Sequence, residues 1–294
     1  DKPRALLLLA HGCSGSATDF FDRSKECERC IGQAVERHVV RTALKKGFAV
    51  VAVSSQDREG SKCWSPPTDI PRTLAAIKHV QAAEDLSNLK VAAVGASSGG
   101  GFVAELAARL AESAAPLQPA AVAVQIMAVP PERLTAKAFP PCVFWYMPRD
   151  EMMAPIIQED IETLKGLGKE VIEVQCPPLK IPKEFFSDWT ELIDPSTSAE
   201  IVGSLVKAGI VGEDGFLTMD PRHHGKRWRE VLREEVAKVR SGELDLTADK
   251  SSIPELLNTA YGQHSWCATD LDKVLDFLLR HSSSSASTQA LGQA

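Results

Sequence analysis

A serine flanked by glycines two positions away on either side stands at Gly95-Ala96-Ser97-Ser98-Gly99. The apolar run Val91-Ala92-Ala93-Val94 precedes it, and Gly100, Gly101 and a helix-like segment, 102–112, follow. A serine on a very sharp strand-to-helix turn adopts a strained backbone, and small residues two before and two after it keep the two arms from colliding. The hydroxyl then projects from the end of a sheet, toward the N–H groups that open the helix. That geometry suits nucleophilic attack, with positive potential where negative charge would develop. On its own the spacing is common, and Gly/Ser clusters mostly make plain turns. The strand before and the helix after set this one apart.

A serine hydroxyl is a weak nucleophile. A neutral imidazole must take its proton and later deliver it to the leaving group, and a buried carboxylate must hold that imidazole in the correct tautomer. Backbone N–H groups must face the oxyanion. The residue after the nucleophile supplies one such donor, here Ser98. The turn His11-Gly12-Cys13-Ser14-Gly15, which closes the first apolar run, is the place for the other, from Cys13 or Ser14. Gly12 lets backbone approach a ligand closely. Gly12, Ser14 and Trp64 are the expected substrate-binding residues.

Around these residues the chain alternates. Continuous apolar runs at 4–10, 48–53, 90–94, 120–128, 142–146 and 171–174 read as strands buried on both faces. Helical patterns at 31–46, 68–85, 102–112 and 150–167 lie between them, with Gly47 and Gly168 as C-terminal stops. Residues 116–119 read as a linker and 132–138 as a short connection. Strand–helix alternation indicates a mostly parallel, doubly wound α/β sheet with right-handed crossovers. Beyond residue 176 no strand is visible. Short helices are expected at 182–193, 198–208, 228–239 and 253–261, and an amphipathic helix at 269–280. The expected organisation is a core of 1–176 plus 261–281, a helical insertion or cap at 177–260, and a disordered Ser/Ala/Gln-rich tail at 282–294.

Composition narrows the function classes. The 294 residues carry a net charge of −6, which disfavours a general nucleic-acid or anionic-membrane surface. Aromatic content of 6% offers no base-stacking platform. The apolar runs are too short to span a bilayer. Gly99-Gly100-Gly101 lacks the Gly-Lys-Thr or G-x-G-x-x-G continuation of a nucleotide site, and there is no H-E-x-x-H, so neither a cofactor nor a metal is expected. Seven cysteines, an odd number, leave at least one unpaired in the monomer. Cys27-x-x-Cys30 has no second ligand pair for zinc. Structural disulfides, with Cys63 bridging to one of that pair, stand beside the alternative of reduced thiols. The cysteine content and a first residue other than methionine favour a secretory or organellar location.

The His11-Gly12 turn, the Gly95-x-Ser97-x-Gly99 elbow, an aspartate past a later strand and a late histidine together resemble the α/β-hydrolase superfamily, whose chain order is nucleophile, acid, histidine. More narrowly, His11-Gly12-Cys13-Ser14, Cys27-x-x-Cys30 and Gly95-Ala96-Ser97-Ser98-Gly99-Gly100 resemble a poorly characterised group of plant and algal α/β-hydrolase-like proteins. The resemblance implies an α/β-hydrolase fold with Ser97 as nucleophile. It implies Asp150, just past the 142–146 strand, as acid, with Glu151 as fallback; a helix N-cap is the competing use of Asp150. His264, ahead of the last helix, is the implied base. His11 belongs to the turn, His38 and His79 fall inside helices, and His281 borders the tail. His223 and His224, in a basic loop, stay as alternatives because about ninety residues separate the last strand from His264. The implied activity is a serine hydrolase acting on a small-molecule ester through an acyl-enzyme. A peptidase or thioesterase on the same residues, or a non-catalytic binding protein of the same fold, is the alternative. Oligomeric state is not legible.

Overall fold

The computed structural model describes residues 2–113, 117–136, 139–248 and 251–283. Six strands form one fully parallel sheet: β1 (Ala5–Ala10), β2 (Phe48–Val53), β3 (Val91–Ala96), β4 (Pro119–Gln125), β5 (Cys142–Tyr146) and β6 (Val171–Gln175). Their spatial order is β2-β1-β3-β4-β5-β6. The helices between them are α1 (Ala34–Lys45), α2 (Pro66–Ala83), α3 (Ser98–Glu112), α4 (Pro131–Leu134) and α5 (Met153–Gly166). After β6 come α6 (Phe185–Trp189), α7 (Pro195–Lys207), α8 (Gly225–Glu235), α9 (Ala237–Arg240), α10 (Ser252–Tyr261) and α11 (Leu271–Ser282).

The continuous apolar runs are strands because both sheet faces are covered. Successive side chains of a strand point to opposite faces. Leu7, Leu9, Ala92, Val94, Val143 and Trp145 pack into one core, with α1, α11 and the helices after β6. Leu6, Leu8, Ala93, Val122, Val124 and Phe144 pack into the other, with α2, α3 and α5. Leu6 to Leu9 are completely buried, each contributing roughly 1.5–3 kcal/mol. The buried residues of α7, α8 and α10, among them Ile201, Leu232 and Leu256, join the first core without a separate one of their own.

The sheet is parallel and doubly wound, as the strand–helix alternation implied, with a run of helices between the last strand and the loop that carries His264. The strand order reverses at β1, which pairs with β2 on one side and β3 on the other. The chain leaves β1 toward α1 on one face and leaves β3 toward α3 on the other. A crevice therefore opens beyond the carboxyl ends of β1 and β3, the switch point where ligands bind in open α/β sheets. The Gly12 turn and the Ser97 elbow flank it.

Several boundaries differ from the sequence reading. Helix α2 starts at Pro66, because two prolines suit a first turn whose N–H groups need no intrahelical partner. Strand β4 stops at Gln125, short of the apolar residues that follow; Ile126 takes a φ of 48°. Helix α6 covers only Phe185–Trp189 of the expected 182–193. Ser282, expected in the tail, ends α11 buried, with its hydroxyl donating to the Leu278 carbonyl at 2.6 Å. The rest of the expected tail, 284–294, lies outside the described residues, as do parts of the 116–119 linker and the 132–138 connection. Cys63 does not bridge to Cys27 or Cys30. The pairs are Cys13–Cys63, Cys27–Cys30 and Cys176–Cys267, and Cys142 is a buried free thiol. The loop ending β1 and the loop ending β2 emerge from adjacent strands, which brings Cys63 to Cys13.

Candidate active site

Ser97 sits between β3 and α3 with φ 53° and ψ −122°, a backbone conformation strained for a side chain with a Cβ. The glycines that flank it are required by close approach. A Cβ on Gly95 would lie 2.1 Å from the Gly99 carbonyl oxygen. One on Gly99 would lie 2.4 Å from the carbonyl oxygens of Ala10 and His11. By contrast, a Cβ on Gly101 would meet nothing closer than the Met127 side chain at 3.6 Å. The Ser97 N–H donates to the Gln125 carbonyl at 2.9 Å, pinning the turn to the end of β4.

His264 lies in the loop between α10 and α11, which Gly262 opens in the left-handed conformation. Its Nε2 stands 2.9 Å from Ser97 Oγ, and its Nδ1 stands 2.6 Å from Asp150 Oδ2. Asp150 is 5% exposed and follows β5. Its two oxygens serve different partners: Oδ2 meets His264, and Oδ1 accepts the Met153 N–H at 3.1 Å at the start of α5. The helix-capping use and the histidine contact therefore coexist. Chemically, this chain can pass a proton from hydroxyl to imidazole while the carboxylate holds Nδ1–H.

His264 itself has φ 45°, and several groups hold its loop. Gln125, fully buried, donates to the Cys267 carbonyl at 3.0 Å and accepts the Cys267 N–H at 3.1 Å. Cys267 is also bridged to Cys176, and Thr259 donates to the Trp266 carbonyl at 2.9 Å. Arg222 reaches across from the segment before α8 and donates to the carbonyls of Gln263 at 2.8 Å and His264 at 2.6 Å. Sequence reasoning missed Gln125 and Arg222. The signal available was polarity out of place: a Gln closing an apolar strand, and an Arg beside two histidines.

On the other side of the crevice, His11 is buried with its Nδ1 2.5 Å from the Gly12 carbonyl. Its Nε2 accepts the Ser55 N–H at 3.1 Å. Those partners require a neutral ring with the proton on Nδ1. Burial lowers its pKa from 6.5 to about 4. The ring thereby fixes the Gly12 turn to the loop after β2. Of the two residues proposed for the second oxyanion donor, Ser14 has committed its N–H to the Ser61 carbonyl at 2.8 Å. Among the described residues no acceptor meets the N–H of Cys13. Ser98 opens α3, where the first N–H groups have no intrahelical acceptor.

The crevice encloses a cavity of about 440 Å³. Gly12, Cys13, Ser97 and His264 wall it, together with Asp19, Glu36 and Arg222. Two of the expected substrate-binding residues are placed elsewhere. Ser14 is not in the wall. Trp64 is 8% exposed, donates from Nε1 to the His11 carbonyl at 2.7 Å and stacks on Phe102 at 4.1 Å. It supports the turn from beneath, because an indole near a buried carbonyl supplies the donor that carbonyl needs. The other histidines stay apart from Ser97: His223 is exposed and pairs with Asp220 at 2.7 Å, and His224 is exposed. Glu151 is exposed. Among the described residues no three His, Cys, Asp or Glu side chains converge as metal ligands, and no helix is long and apolar enough to cross a membrane. A larger cavity, about 710 Å³, opens at the amino ends of the strands beside Lys90, Pro119 and Pro141.

No known family pattern matches the sequence, and no curated protein matches it in sequence. Solved structures similar in chain course include esterase PE8, 16% identical over 64% of this chain and 94% of that one, with a TM-score of 0.44. The Pyrococcus furiosus esterase Pf2001 is 16% identical over 64% of this chain and 79% of that one, at 0.43. A fungal esterase from Rhizomucor miehei is 16% identical over 60% and 66%, also at 0.43. At identities and scores this low, the activity has to be read from the chemistry of the site.

Proposed function

We propose that this chain is a serine hydrolase that cleaves a carboxylic ester through an acyl-enzyme. Ser97 is the nucleophile, His264 the base and then acid, and Asp150 the carboxylate that orients His264. The observation that carries the reading is the unbroken run of two hydrogen bonds from Ser97 Oγ through His264 to Asp150, 2.9 and 2.6 Å, at the carboxyl end of the sheet. A serine in a strained turn, its hydroxyl already facing an imidazole nitrogen, is costly to maintain for packing alone.

In the reaction, His264 Nε2 takes the Ser97 proton as Oγ attacks the ester carbonyl. The oxyanion that forms is met by the N–H groups of Ser98 and Cys13. His264 then protonates the departing alcohol, and a water repeats the sequence on the acyl-enzyme to release the acid. The helices of 177–260 act as an insertion that shapes the entrance. Arg222, from that segment, both walls the cavity and holds the His264 loop, which supports this part of the reading.

A fluorophosphonate probe tests it. The expected result is labelling of the wild type and none of Ser97→Ala. A folded wild type that takes no label overturns it and returns the chain to the non-catalytic class. Oxygen esters compared with thioesters and peptides of the same acyl group then test the ester preference.

A further inference from the structure

Gln125 ends β4, an otherwise apolar strand, and its side chain is completely buried. Alternation along the strand places it on the same face as Ala121 and Ala123. Those small residues let α11 pack closely against β4, so Gln125 comes to lie under the loop that leads into α11. There its amide meets the backbone of Cys267 twice, donating to the carbonyl at 3.0 Å and accepting the N–H at 3.1 Å. A side chain supplies the pairing that a neighbouring strand would otherwise offer. An amide is tolerated at such depth only when its polar atoms are engaged, and Cys267 engages a donor and the acceptor together.

The main chain of the same residue holds the nucleophile. The Gln125 carbonyl accepts the Ser97 N–H at 2.9 Å, at the strained residue itself. A Cβ on Gly100 would lie 3.1 Å from that carbonyl oxygen, so the elbow sits tight against the end of β4. Just beyond, Ile126 turns to φ 48° and donates to the Trp145 carbonyl at 2.8 Å, which fixes the end of β4 against β5. The other groups that hold the His264 loop lead elsewhere. The Cys176 bridge runs to the end of β6, Thr259 belongs to α10, and Arg222 comes from the segment before α8. Among the described residues, none of these three hydrogen-bonds to the Ser97 turn. Gln125 holds both loops at once.

We propose that Gln125 is a positioning residue of the site, keeping Ser97 and His264 at hydrogen-bonding distance by holding the serine with its carbonyl and the histidine loop with its side chain. It touches neither substrate nor the reacting atoms. The catalytic consequence rests on the serine-hydrolase reading; the geometric one does not. Proton transfer needs Ser97 Oγ and His264 Nε2 within reach of each other, 2.9 Å here, and a misplacement on the order of 1 Å costs about a hundredfold in rate. His264 lies close before Cys267 on a bent stretch, at φ 45°, so a slip at Cys267 is passed on to the ring. Gln125→Met keeps the length of the side chain and removes both of its bonds, while the main-chain carbonyl stays.

Wild type and Gln125→Met are compared with the Cys176–Cys267 bridge intact in both. In turnover of p-nitrophenyl acetate, kcat is expected to fall about a hundredfold with KM within about twofold, because the groups that contact substrate are unchanged. A crystal structure of the variant is expected to show Ser97 Oγ and His264 Nε2 parted beyond about 3.5 Å. A kcat within about threefold of wild type, or an unchanged distance between the two atoms, overturns the proposal. Should Gln125→Met not fold, Gln125→Asn, which keeps an amide but stops one methylene short of Cys267, is read in the same two ways. Hydrogen exchange in the wild type needs no variant: the Cys267 N–H is expected to exchange slowly, like the amides of β4, and exchange as fast as that of an exposed loop amide overturns the proposal. A wild type that hydrolyses no ester and takes no fluorophosphonate refutes the serine-hydrolase reading, and the crystallographic distance still tests the positioning.

Discussion

Acidification should weaken this protein through one side chain in particular. His11 is buried, donates from Nδ1 to Gly12 and accepts from Ser55 on Nε2, and its pKa is lowered from 6.5 to about 4, chiefly by burial. A depressed histidine pKa means that the unfolded chain binds the proton more readily than the folded one. The stabilisation is therefore complete above pH 6.5 and is lost as pH falls toward 4. A difference of about 2.5 in pKa, at ~1.4 kcal/mol each, amounts to ~3 kcal/mol. Protonation also removes the acceptor for the Ser55 N–H and so loosens the turn that carries Gly12 and Cys13. The measurement is urea unfolding of wild type and His11→Gln at pH 7, 6, 5 and 4 with disulfides intact. Other titrating groups are common to both proteins and cancel in the difference. The variant is expected to be less stable at pH 7, having lost its ring contact with Trp64 at 5.1 Å. Its deficit should shrink by ~3 kcal/mol by pH 4. A deficit constant to within ~0.5 kcal/mol across that range refutes the neutral buried ring.

Three other substitutions address the site. Asp150→Asn should lower kcat about a thousandfold or more with little change in KM, because the amide favours the wrong imidazole tautomer; stopped assays with p-nitrophenyl acetate would read it. Gly99→Ala puts a Cβ 2.4 Å from two backbone oxygens and should cost more than about 3 kcal/mol in urea unfolding, whereas Gly101→Ala, whose nearest neighbour would be a Met side-chain atom at 3.6 Å, should be nearly neutral. Replacing Cys13 and Cys63 together by serine opens a bridge spanning 50 residues, with an expected loss of up to ~4 kcal/mol of stability, and should slow fluorophosphonate labelling by freeing the Cys13 turn.

The two kinds of information separate cleanly along the chain. Strand β5 begins and ends where its apolar run does, because a strand buried on both faces must be apolar throughout. The elbow is equally local, since the clash that demands Gly95 and Gly99 arises within a few residues of Ser97 and the strand beside it. What was not legible depended on long-range proximity. Cys63 was expected to meet Cys27 or Cys30 and instead meets Cys13. Trp64 lies under the His11 carbonyl and Ser14 spends its N–H on Ser61, contacts between distant parts of the chain. Arg222 stands beside two histidines in the sequence, but nothing local says that it reaches the carbonyls of Gln263 and His264.

By itself, then, the sequence determined the alternation of strand and helix, and with it the parallel sheet and the sharp turn at Ser97. Those follow from burial and sterics acting within single segments. Only the tertiary structure decided which carboxyls face the cavity, which arginine holds the His264 loop and which cysteine tethers the Gly12 turn. Glu36 and Glu255, or Arg222 and His264, meet through helix packing that no single segment encodes. The make-up of the cavity wall emerges from that packing alone.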